Sequence, residues 1–115
     1  PISIPTIGDF LGVIGNERSQ ALTGSVTHAM KPHVPIIPLI VPGNGERLPD
    51  TRRSDHTSFW EQGFPAVMLT DTANFRNPHY HRPTDTLDTL NLDFLASVAD
   101  GVTAAVMALA GQPTI

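Results

Sequence analysis

The sequence predicts an α/β fold. Short apolar runs alternate with helix-patterned segments, turn chemistry separates them, and a long amphipathic stretch closes the chain. At 115 residues the chain fits a single domain, 1–115, enough for one core but small for an enzyme with a deeply walled site.

Asp9 to Ile14 (DFLGVI) is an apolar run closed by Gly15 and Asn16, read as a buried strand, with Asn16 placed to cap a following helix. Leu22, Val26, Ala29 and Met30 then share one helical face. Ile36 to Val41 is a β-branched run in which Pro38 argues for an edge or irregular strand. Pro42-Gly43-Asn44-Gly45 opens an exposed loop that runs down to Pro49. Ser54 is expected to cap a short helix through Gln62 that buries Phe59 and Trp60 and stops at Gly63. Phe64 to Leu69 (FPAVML) reads as another buried strand.

Thr70 to Asn91 is rich in Asp, Asn, Thr, Pro and His, and is too long for a mere connection, so it is expected to carry function. From Leu92 to Ala110, Leu95, Val98, Ala99, Val102, Ala105, Val106 and Leu109 recur at helical spacing, with Gly111 and Pro113 ending the helix.

Hydrophobic residues make up 40% and charged residues 16% of the chain, the composition of a protein that folds. The formal charge is -4 and no basic run exceeds Arg52-Arg53, which argues against nucleic acid as a partner. No apolar stretch is expected to reach the roughly 20 residues of a membrane span. With no cysteine, any metal must be held by His, Asp or Glu, and the redox compartment stays open. The chain starts at Pro1 without a charged segment leading into an apolar one, as if polypeptide before it had been removed.

Three motifs occur in order: Arg53-Ser54-Asp55-His56-Thr57-Ser58-Phe59, then Gly63 through Asp71 (GFPAVMLTD), then Phe75 through Thr86 (FRNPHYHRPTDT). Together they resemble the C-terminal half of the co-catalytic di-zinc aminopeptidases, whose wider relatives include glutamate carboxypeptidases and glutaminyl cyclases. The resemblance implies a three-layer αβα fold with a mixed, mostly parallel sheet, of which this chain covers about half. It implies that His81 is the last zinc ligand, and that Tyr80 donates a hydrogen bond to the substrate carbonyl as it becomes an oxyanion. For the intact enzyme the resemblance implies hydrolysis of the first peptide bond, in which zinc, when bound, would activate the attacking water. Arg53 matches an arginine near the substrate. Asp55 and His56 match a structural segment beside the metal, with Asp55 in the first helical turn. The resemblance also favours an extracytoplasmic location.

Of the neighbouring candidates, His79 reads as a bystander, and Asp85, like Asp55 and His56, as a supporting or structural residue. His79, two residues before His81, would share its side in extended backbone, but the family pattern assigns only His81. Asp85 is expected to hydrogen-bond its own loop, and Asp71 to end a strand.

The family's remaining ligands are an upstream His-x-Asp pair, a Glu-Glu pair whose first member is the general base, and a further acid. None is present: the five histidines are followed two positions later by Met30, Pro35, Ser58, His81 and Pro83, and Glu17, Glu46 and Glu61 stand alone. A catalytic zinc needs about three protein ligands, so this chain alone is expected to hold zinc weakly and hydrolyse nothing. Its expected partners are a peptide substrate in the intact enzyme and either a complementary N-terminal segment or a second copy, with no membrane partner. The alternative is a non-catalytic interaction or oligomerisation module derived from the same fold; sequence upstream of Pro1 would separate the two. A serine hydrolase lacks its G-x-S-x-G elbow, and Gly43-Asn44-Gly45 lacks the rest of a dinucleotide fingerprint.

Overall fold

Strand β1 (Leu11–Asn16) is the centre of a three-stranded sheet in the order β2-β1-β3, with β2 at Ile36–Val41 and β3 at Val67–Thr70. The computed structural model describes residues 8–72 and 76–111; Phe75 and Pro113, singled out above, lie outside them. β1 runs parallel to β2, with Leu11 opposite Ile36, and antiparallel to β3, with Gly12 opposite Thr70. The sheet is therefore mixed, as expected. A parallel pair needs a long crossover, and helix α1 (Gln20–Met30) provides it.

Alternation along β1 sorts the two faces. Leu11 and Val13 pack with Val26, Met30, Val34 and Ala105 into the core. Val67 and Leu69 of β3 join them from the sheet. Helix α3 (Leu92–Ala110) adds Phe94, Val98, Val102 and Leu109. α1 and α3 thus cover one face. Gly101 lets α3 come close: a Cβ there would stand 3.1 Å from the Met30 side chain. Gly15 has the same role where α1 meets β1, since a methyl group would overlap the Thr23 hydroxyl.

One expectation about length is corrected. α3 spans 19 residues and is long and apolar enough, by length and composition only, to cross a membrane. Here Val98, Val102 and Ala105 pack it on the core, and Asp93 and Asp100 interrupt its apolar surface.

Asn16 caps as its position suggests, though the turn it starts is a single 3-10 turn, Glu17–Ser19, that feeds α1. Its Oδ1 accepts from the Ser19 amide (3.1 Å) and hydroxyl (2.5 Å), while Nδ2 donates to Asn44 Oδ1 (2.8 Å). The Ser19 hydroxyl oxygen in turn accepts from the Ala66 amide at 2.9 Å. One fully buried amide side chain therefore ties β1 to the loop after β2 and to the approach to β3. Asn16→Ala is expected to cost about 2 kcal/mol, the upper range for a lost cap, read as a lower urea midpoint with unchanged slope.

Helix α2 (His56–Glu61) departs from its expected form at both ends of its sequence signal. Its cap position is Asp55, just before the first turn, and no side-chain cap bond forms there. Ser54 contributes only its carbonyl, which accepts from the Thr57 amide at 3.2 Å. Trp60 is buried at 1% exposure, but Phe59 is 55% exposed. Neighbouring helical positions lie about 100° apart, and a helix of six residues presents only one stripe inward. Gly63, with φ 80°, stops the helix as expected.

The third strand starts at Val67 rather than Phe64 and is half-buried, not fully buried. Ala66 explains the late start: its amide goes to Ser19 and its carbonyl accepts from Trp60 Nε1 at 2.8 Å, so neither joins the ladder. Phe64 is left exposed.

Candidate active site

The sheet face opposite α1 and α3 carries Ile14 and Met68, and both line a cavity of about 440 Å³. Its other walls are the segment from Arg47 to Ser54, which leads into α2, together with Thr70, Thr72 and Tyr80. The volume falls in the range of small-ligand sites.

The wall is pinned to α2 from behind. His56 Nε2 donates to the Thr51 carbonyl at 2.6 Å, and the Thr57 hydroxyl donates to the Arg52 carbonyl at 2.7 Å. That bond fixes the His56 tautomer, because a carbonyl can only accept. His56 is buried, its ring meets the edge of Trp60 with centroids 4.6 Å apart, and its Nδ1 has no partner. Further along, the Glu46 carboxylate accepts from the Asn44 amide at 2.8 Å. The Glu46 and Asn44 amides hold this carboxyl below its ordinary pKa.

Three of the residues singled out in the sequence come together here. Tyr80 lines the cavity, the His81 ring stacks on it with centroids 4.0 Å apart and planes 11° apart, and the Arg53 guanidinium lies 5.7 Å from the phenol centroid. Arg53 also makes a long ion pair with Asp50, 3.6 Å. His81 is exposed rather than sealed in the interior, and it reaches the cavity only through its stack on Tyr80.

The other candidates stand apart. Asp55 is exposed at the start of α2. Asp85 bonds within its own loop, its amide donating to the Arg82 carbonyl at 3.0 Å. His79 and His81 do not share a side through extended backbone, because the segment folds into successive turns; the Tyr80 amide donates to Asn77 and the Arg82 amide to His79. His79 Nδ1 instead meets the Thr84 hydroxyl at 2.9 Å. Asp71 sits just past the end of β3, as expected.

Two features of the site had no sequence signal. Among the described residues, only Thr72 (φ 81°) and His81 (φ 54°) are non-glycine residues in the left-handed region. Strain of this kind gathers at functional loops; here Thr72 lines the cavity and His81 stacks on Tyr80, which lines it too. The Thr72 hydroxyl is also buried without a hydrogen bond.

The profile of Peptidase family M28 matches residues 5–106. This chain belongs to peptidase family M28. Over 100 residues it is 37% identical to YfbL of Escherichia coli (strain K12), an uncharacterized protein, across 85% of this chain and 30% of YfbL. The crystal structure of the LapA aminopeptidase from Legionella pneumophila superposes with a TM-score of 0.58 over 90% of this chain and 27% of LapA. At 22% identity that likeness is one of fold. The M28 chain therefore spans about 30% of the length of its curated relative. The three motifs pointed to the right family.

Zinc does not fit the described residues of this M28 chain as a complete site. Among them, no three His, Asp or Glu side chains converge, whereas a catalytic zinc takes about three protein ligands and an open position. His81 offers one imidazole beside the cavity.

Proposed function

We propose that this M28 chain is the C-terminal part of a zinc-dependent aminopeptidase, and that the cavity beside Tyr80 is its share of the active site. The grouping of Arg53 and His81 around Tyr80, with Arg53 and Tyr80 lining one cavity, carries the reading. His81 is this chain's contribution to the metal set; the other ligands and the general base come from polypeptide outside these 115 residues. Tyr80 carries a phenol O–H, a hydrogen-bond donor. It can donate a hydrogen bond to a carbonyl oxygen as negative charge develops there, an effect worth about 2.7–4 kcal/mol. Arg53, whose guanidinium lies over the same phenol ring, orients the substrate.

The 115 residues alone, supplied with zinc, are expected to release no amino acid from the N-terminus of a peptide. The gene's complete product is expected to do so, and to lose the activity to a chelator. A complete product that is inactive across a panel of aminoacyl substrates in zinc overturns the reading.

We further propose that the chain associates, with itself or with a complementary segment. α3 exposes Leu92, Leu95, Val106 and Met107, and β2, at the sheet edge, exposes Ile37 and Leu39. Apolar faces and open edges of this kind are places of association. This also supports the alternative of a binding module. Sedimentation velocity should show concentration-dependent assembly; a monomer at high concentration contradicts it.

A further inference from the structure

We propose that the cavity is a carboxylate-binding subsite, in which Arg47 and Arg53 take an acidic group of the substrate. The proposal rests on the peptidase reading for its substrate, a peptide, and on the geometry for its charge.

Three arginines lie between positions 47 and 53, and they divide into two kinds. Arg52 is outside the cavity and its guanidinium is occupied, donating to Glu61 at 2.5 Å and to the Asn44 carbonyl at 2.6 Å. Arg47 and Arg53 line the cavity. No carboxylate pairs with Arg47 among the described residues. The partner of Arg53 is Asp50, at 3.6 Å, with both side chains about half exposed, 45% and 50%. An exposed pair of that length holds weakly, so an incoming carboxylate can displace Asp50. Asp50 is also the one acidic residue of the lining, which leaves the two arginines with a net positive charge.

The remaining surface decides what carries that charge. Ile14 and Met68 on the sheet and Leu48 on the facing wall add apolar surface to the cavity, which suits a short hydrocarbon stem carrying the acidic group. Guanidinium binds carboxylate through paired, charge-assisted hydrogen bonds. An acidic side chain and the free C-terminal carboxylate of a short peptide share this chemistry.

The test is an NMR titration of the 115-residue chain without zinc, following the Nε–H signals of the arginines and the Tyr80 amide. Three probes separate the sources. N-acetylglutamic acid α-amide carries only a side-chain carboxylate, N-acetylleucine only a terminal one, and N-acetylglutamine amide neither. At least one acid should shift Arg47, Arg53 and Tyr80 saturably, with the neutral probe at least about tenfold weaker; the tighter acid identifies the source. Arg47→Gln and Arg53→Gln should each weaken binding, and Arg18→Gln, outside the cavity, should not. Equal binding of all three probes, no saturable shift, or shifts away from the two arginines overturns the proposal. Because no zinc or hydrolysis is involved, a negative result leaves the peptidase reading standing. An inactive complete product would leave a positive result standing in turn.

Discussion

Trp60→Ala is expected to destabilise the chain by about 3–5 kcal/mol, the range for emptying a large aromatic site in a core. Stability of a small domain totals only about 5–15 kcal/mol, so this one truncation removes a major share. Trp60 is 1% exposed and joins three parts of the site's support. Its indole donates to Ala66 ahead of β3, its ring edge meets His56 behind the cavity wall, and a Cβ on Gly45 would touch it at 3.4 Å. Trp60→Phe keeps much of the volume and strands the Ala66 carbonyl, at a cost of about 1–3 kcal/mol. Urea unfolding of both variants should reproduce that order. Loss of less than about 1 kcal/mol in the alanine variant would show that α2 is not part of the cooperative core.

His81→Gly is expected to leave stability nearly unchanged while it removes function. The left-handed backbone at φ 54° costs a residue with a Cβ about 1–2 kcal/mol, which glycine relieves. Against this stand the lost ring stack on Tyr80, about 0.5–1.5 kcal/mol, and glycine's greater backbone entropy, about 0.5–1 kcal/mol. The terms nearly cancel. His81→Ala keeps the strain, loses the stack, and should be the less stable of the two. In the gene's complete product both variants should lose more than about 100-fold in activity, since even groups that only support a metal ligand cost 10–100-fold. A glycine variant that melts far lower but keeps its activity would make His81 a structural residue.

The contrast between these two residues shows what the sequence could reveal. β1, α1 and α3 were legible because a hydrophobic period over many residues leaves few alternatives, and Asn16 stood where a cap is needed. The family was legible because three motifs in order, ending at Tyr80-His81, are more specific than any one of them. α2 was misread where it is shortest: with six residues, Phe59 and Trp60 are adjacent and pattern alone does not say which turns inward. The start of β3 was hidden because Ala66 is claimed by Ser19, 47 positions away, a contact no local rule contains. Arg47 and Thr72 were missed for the same reason, since their significance comes from the cavity that distant segments enclose.

Zinc titration of the 115-residue chain, followed on the ring signals of its five histidines, tests the His81 assignment most directly. The His81 ring should respond first, with weak, saturable binding that His81→Gly abolishes. A His81 ring that stays silent while zinc binds tightly through other side chains would contradict it.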